Sequence, residues 1–239
     1  MRFQDAARDA RAVVYAGIQA DPLVARAADL LADATPGQRV LARAVMNGES
    51  GRGDPWRIAF PSLLGATADA AERETSEAIL DVALDVAGRG EQARSQYRGA
   101  IVEALTARLL ARRVPPAAVR RERRILFDGV RAEIHPYDVT VELPARAEAY
   151  DCKWGARGIN DEVLLQLDLA RRAAESEEAR LLVALVVFDA RRSCRVRLAR
   201  LMPAPGVRLV ALESLDALGR PRAAPPAGPG SGPRAAAPR

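Results

Sequence analysis

His135-Pro136-Tyr137-Asp138, followed after a gap of twelve residues by Asp151-Cys152-Lys153-Trp154, is the stretch whose reading decides the architecture. Lys153 is the single lysine among 36 basic side chains, all the others being arginine. An ammonium is compact, can point at a phosphate or a water and shifts its pKa when buried, whereas a guanidinium is planar, bulky and permanently charged. Residues 147–154 alternate as a strand does, so Ala147, Ala149, Asp151 and Lys153 share one face, and Glu148, Tyr150 and Cys152 take the other. A second extended segment, ending at the Pro144 turn, sets Asp138 and Thr140 opposite Val139 and Val141.

Upstream, Gly88-Arg89-Gly90 breaks the chain before a predicted helix over 91–113, on which Tyr97, Ile101, Leu105 and Leu109 form the core stripe. Glu103 lies off that stripe, on the face of Gly99, Ala107 and Leu110. A carboxylate partly buried among such neighbours needs a partner such as a metal, an arginine or a backbone donor; the alternative is an exposed Glu103 paired with Arg108 or Arg98. Pro115-Pro116 ends the helix, and Asp128-Gly129 predicts a tight hairpin between 123–127 and 130–134. Downstream, Asn160 caps a helix with Asp161 and Glu162 in its first turn and Val163, Leu167, Ala170 and Ala174 on its core face, with Gln166 beside them. Residues 181–188 are a continuous apolar run, as in a strand buried on both faces. Cys194, Val196 and Leu198 alternate with Arg195 and Arg197, which predicts a half-exposed edge strand, and 207–218 reads as a last strand and a short helix.

An acid, a twelve-residue gap and acid-x-Lys, with Gly99-x-x-x-Glu103 on the preceding helix, resembles the PD-(D/E)xK, or restriction-endonuclease-like, nuclease superfamily over residues 95–190. The resemblance implies an α/β fold in which a mixed central sheet is flanked by helices as an αβββαβ core. It implies Asp138, Asp151 and the backbone carbonyl of Cys152 as ligands of Mg²⁺, for which Mn²⁺ can substitute, with Glu103 on a second ion or a metal-bound water. Lys153 would act on the attacking hydroxide and the scissile phosphate, and Gln166 would orient the cluster. Two departures stand out: Tyr137 separates Pro136 from Asp138, and Ala170 follows Gln166 by four residues where an exonuclease-like branch tends to carry tyrosine. The implied activity is metal-dependent phosphodiester hydrolysis, on DNA rather than RNA, in defence, repair or recombination. The alternative is a nucleic-acid-binding or assembly module that keeps the fold and does not cut.

Around this domain, 91–219, the remaining chain divides into an all-helical N-terminal part, 1–90, and a Pro, Ala, Gly and Arg tail, 220–239, with a disordered composition. Helices are expected over 3–20, after Asp21-Pro22, after Thr35-Pro36 and over 68–86, with a loop across 47–61. The helical part carries no chemical motif and suits a scaffold or a protein-partner surface. The net charge of +5 owes four units to Arg220, Arg222, Arg234 and Arg239 of the tail. Within 108–131, eight arginines stand against Glu122 and Asp128, and Arg120, Arg121, Arg123 and Arg124 are the expected phosphate contacts of this basic band, unless it is a solvated face. No run of eighteen apolar residues exists to span a membrane. Cys152 and Cys194 have neither disulfide-framework nor metal-ligand spacing, which fits a reducing cytoplasm. His135, the one histidine, faces away from Asp138 in an unbroken strand, so packing or a structural hydrogen bond is expected of it rather than general-base work. Trp154 and Tyr150 are read as core in preference to base-stacking platforms. A homodimer would suit the cutting of two strands.

Overall fold

In the structure, a computed structural model, residues 1–6, 10–48, 51–131, 135–202 and 206–221 are described. In chain order they form β1 (Arg2–Asp5), α1 (Ala10–Gln19), α2 (Pro22–Asp33), α3 (Pro36–Asn47), α4 (Asp54–Ala59), α5 (Pro61–Leu64), α6 (Ala70–Ala87), α7 (Glu91–Ala111), β2 (Val119–Phe127), β3 (Val130–Arg131), β4 (Tyr137–Leu143), β5 (Arg146–Lys153), α8 (Asp161–Ser176), β6 (Leu181–Val187), α9 (Arg191–Leu201) and β7 (Arg208–Ala211). Short 3₁₀ turns cover Pro116–Ala118, Ala156–Gly158 and Leu212–Leu218. The fold is α/β: one open mixed sheet, ordered β1-β2-β4-β5-β6-β7 with β3 paired to β2, and helices on both faces.

β1, β2, β4 and β5 are antiparallel neighbours, whereas β5, β6 and β7 run parallel. Parallel neighbours need a crossover, which α8 and α9 supply. β6 alternates without polar interruption: Val183, Leu185 and Val187 pack toward α8, while Ala184 and Val186 pack toward α7. The core on the α7 side is continuous across residue 90, taking in α2, α3 and α6 together with α7 and the sheet. Tyr97, Ile101, Leu105 and Leu109 are all buried in it.

Local signals account for most boundaries. Asp21 accepts from Leu23 N at 2.8 Å and Thr35 from Gln38 N at 3.3 Å, capping α2 and α3, whose first residues are prolines. Asn160 accepts from Val163 N at 2.9 Å and starts α8. Asp128 (φ 46°) and Gly129 (φ 79°) are both left-handed, as a primed hairpin turn requires; the far side of that hairpin, 132–134, lies outside the described residues, as do 222–239 of the tail.

Three expectations are corrected. Residues 3–5, expected in a helix over 3–20, belong to β1, a strand paired to β2, with Phe3 opposite Ile125 on the α8-side core. The loop expected over 47–61 contains α4, begun by Asp54-Pro55, and leads into α5. The expected edge strand through Cys194 is the helix α9. There Cys194, Leu198 and Leu201 pack on the core at helical spacing. Residues 194 and 198 fit a period of two as well as 3.6; Val196, which distinguishes the two, is exposed.

An ion pair inside the α7-side core joins the turn after α7 to the sheet. Arg113 donates to Glu148 Oε1 at 3.0 Å and to Leu218 O at 2.6 Å, and also contacts Glu148 Oε2 and the Tyr150 hydroxyl. Both charged side chains are almost wholly buried. Removing one partner of a buried pair costs about 3–5 kcal/mol, whereas replacing both with apolar groups is far milder. Arg113→Met is therefore expected to lose that much in urea unfolding and Arg113→Met/Glu148→Leu to recover most of it; a loss below about 1 kcal/mol in the single variant would show that the pair is not a structural tie.

Candidate metal centre

At one place the regular alternation of the sheet breaks. The β2–β4 register pairs Arg121 with Val139 and Arg123 with Tyr137, skipping the rung between them, where Glu122 would face Asp138. Glu122 is left-handed (φ 52°), a conformation that costs a non-glycine residue of order 1 kcal/mol. Across this rung the strands exchange faces: Val139 belongs to the α7-side core, whereas Tyr137 and Ile125 belong to the α8-side core. The β4–β5 ladder begins at Val139 and Tyr150, so Asp138 and Asp151 lie beyond its first rung. There the Cys152 N–H donates to Asp138 Oδ2 at 2.5 Å instead of to the β4 backbone. In an extended strand the amide and carbonyl of one residue point the same way. The Cys152 carbonyl is thereby aimed into the same gap, on the side away from β6, whose next amide, Phe188 N, takes Lys153 O.

α7 brings Glu103 to the gap from the packed side. It is buried, and α1 holds both its oxygens: the Tyr15 hydroxyl donates to Oε1 at 2.6 Å, and Gln19 Nε2 donates to Oε2 at 2.7 Å and to Glu122 Oε1 at 3.2 Å. Tyr15 and Gln19 are i and i+4, hence on one helix face. Gly99 makes room for them; a Cβ there would stand 3.0 Å from the Tyr15 oxygen. One oxygen each from Glu103, Glu122 and Asp138 lies within 4.8 Å of the others. Lys153 Nζ sits 2.5 Å from Asp151 Oδ1, with the ammonium partly exposed and the carboxylate buried.

The electrostatics follow from crowding carboxylates out of water. Burial pushes Glu103 from 4.5 up to about 7, with Glu122 adding to the rise and the Tyr15 and Gln19 donors and Arg121 opposing it. Asp138 is raised well above the usual carboxylate range by burial and by the charges of Asp151 and Glu103, against the pull of Lys153 and the Cys152 N–H. Glu122 is raised chiefly by burial. Burial alone would lower Lys153, but Asp151 and Asp138 outweigh it and hold the ammonium charged, above its ordinary value.

The structure thus brings Glu103, Asp138, Asp151 and Lys153 to one place from α7, β4 and β5. It adds Glu122, Tyr15 and Gln19, which the sequence reading did not assign. Glu122 had a signal, being the one acid inside Arg120-Arg121-Glu122-Arg123-Arg124; nothing local marks Tyr15 or Gln19. Gln166 Oε1 accepts from His135 N at 2.8 Å. His135 itself is exposed and its ring meets Glu162 at 3.0 Å. The Cys152 thiol, against Thr106, is raised by burial and by Asp138, which removes it as a nucleophile. Trp154 stacks on Phe188 and donates to Asn47. Of the expected phosphate contacts, Arg123 is bound to Glu142 and Asp5, Arg121 lies in the field of Glu103 and Glu122, Arg124 is half-buried and Arg120 is exposed.

The donors that converge are carboxylates and one backbone carbonyl, all oxygen, the set that suits a hard divalent cation such as Mg²⁺. Compared with protein-family models, with curated proteins and with solved structures, the chain matches none.

A carboxyl titrating at about 7 in the folded chain and at 4.5 otherwise keeps its proton better when folded. Its contribution, on the order of 3 kcal/mol, is full below pH 4.5 and is lost as pH rises through 7. In chelator, the urea midpoint of the parent is expected to fall between pH 5 and 8 more steeply than that of Glu103→Gln; parallel curves would show that Glu103 is not the strained acid.

Proposed function

We propose that this chain is a metal-dependent nuclease of the restriction-endonuclease-like kind, hydrolysing phosphodiester bonds in DNA. The carrying observation is the meeting of Glu103, Asp138, Asp151 and Lys153, from three elements, where the sheet parts. The order α7, β2, β4, β5, α8, β6 supports the αβββαβ reading, with β1, β3, α9 and β7 as additions.

Asp138, Glu122, Glu103 and the Cys152 carbonyl would hold Mg²⁺ or Mn²⁺, with Asp151 beside them. Such an ion supplies a Lewis acid for a phosphoryl oxygen and lowers the pKa of a water. Lys153 stays protonated under the charges of Asp151 and Asp138 and presents its ammonium to charge growing on the phosphate. Asp151 fixes the direction of that ammonium.

A second reading, binding without cutting, has one observation in its favour: Tyr15 and Gln19 already engage both oxygens of Glu103. One experiment separates the two. Plasmid and linear single-stranded DNA are incubated with the purified chain and Mg²⁺ or Mn²⁺, beside a chelator control. Cleavage is expected only with metal, and Lys153→Ala and Asp151→Asn are each expected to lower it by about 10²-fold or more. DNA binding with no cutting, unchanged in both variants, would replace the nuclease by the silent module.

A further inference from the structure

The arginines of the chain fall into two groups. On the β2 side and the neighbouring end of α7 most are already matched: Arg108 with Asp29, Arg112 with Asp33, Arg113 with Glu148, and Arg123 with Glu142 and Asp5. α9 is different. Its eleven residues, Arg191–Leu201, include five arginines and no acid. Arg192, Arg195 and Arg200 are exposed, as is Arg157 on the turn after β5. Among the described residues none of these four, nor Arg197, forms an ion pair with a carboxylate. Arginine density of this kind, without compensation, is a standing positive field.

The field lies in a hollow. Arg157, Arg192, Arg197 and Arg200 line a groove of about 500 Å³, with Val196 between them. Through Ala156, Arg157 and Ser193 it joins a second hollow of about 720 Å³, lined also by Trp154, Gly158 and two arginines that are already matched, Arg43 with Asp189 and Arg98 with Glu91. Its frame is fixed. Buried Asp189 accepts from Ala156 N at 2.9 Å and pairs with Arg43 at 2.8 Å, and Arg197 Nε donates to Ile159 O at 2.8 Å, leaving its other nitrogens for the groove. Gly158, on the wall of the second hollow, lies against the Lys153 stem, since a Cβ there would stand 3.1 Å from it. The nine residues of helix from Arg192 to Arg200 span about 12 Å between their ends, the length of three to four stacked nucleotides.

We propose that the groove between α9 and residues 155–158 binds the sugar–phosphate backbone of a nucleic acid and leads it to Lys153, in place of the basic band on β2. The direction of the strand rests on the nuclease reading; the binding itself does not. Arginine on a fixed helical face suits phosphate by charge and by bidentate geometry, and a shallow groove of this length fits a strand of a few nucleotides.

The test is fluorescence anisotropy with a labelled 20-nucleotide DNA strand and its duplex, in EDTA so that nothing is cut, over a salt series. Arg157→Ala/Arg192→Ala/Arg200→Ala is expected to weaken binding by about tenfold or more and to reduce the slope of log K against log salt by roughly 2–3, at about 0.7–0.9 per phosphate lost. Lysine at the same three positions should restore most of the slope. Arg26→Ala, an exposed arginine of α2, should bind as the parent does. The inference is overturned if the triple variant binds like the parent, if Arg120→Ala/Arg124→Ala takes the loss instead, if vesicles containing phosphatidylserine are bound in preference to DNA, or if the parent binds no oligonucleotide. Cleavage with Mg²⁺ is read separately. A parent that binds through α9 and never cuts keeps this inference and removes the nuclease; a parent that cuts equally well as the triple variant does the reverse.

Discussion

Like charges held out of water repel, and the carboxylates of Glu103, Glu122, Asp138 and Asp151 impose that condition on everything around them. The chain meets it with neutral donors before it uses charge. Tyr15 and Gln19 cover Glu103, the Cys152 amide covers Asp138, and Lys153, paired with Asp151, completes the set. Each of these needs the sheet to depart from regularity. If Glu122 and Asp138 formed an ordinary rung, their side chains would leave on the faces of the sheet, and the Cys152 amide would have a backbone partner. The left-handed turn at Glu122 is thus the backbone counterpart of the charge cluster.

Much of this was legible from the residues. The helix stripe through Tyr97, the Asp-Gly turn, the cap at Asn160 and the unbroken apolar run of β6 each state a local preference that packing then reinforces. So did the acid-x-Lys pair, because in a strand i and i+2 share a face. What failed had physical reasons of two kinds. α9 offers apolar residues at positions compatible with both periods, and only the exposure of Val196 tells them apart. β1 has four residues and one apolar side chain, too little to announce a strand whose partner lies more than a hundred residues away. Tyr15 and Gln19 were hidden for the same cause: their role exists only once α1 docks on α7.

The division of labour between arginine and lysine also becomes clear. A guanidinium forks across a carboxylate, and the chain uses that shape to fasten the turn after α7 to the sheet at Arg113 and Glu148 and strand to strand at Arg123 and Glu142. Beside Asp151 and Asp138 such a fork would close over the carboxylates and take their free lone pairs. The ammonium of Lys153 touches one oxygen and leaves the rest directed at the gap.

The clasp of α1 over Glu103 has a consequence for how the protein acquires its shape. Its hydrogen bonds join residues 84, 88 and 103 positions apart, whereas β4 and β5 are joined by a short turn, and α6 and α7 by another. Contacts that close long loops form after those that close short ones. On that ordering α1 docks after β2, β4 and α7 have come together beneath it, and its arrival completes the burial of Glu103.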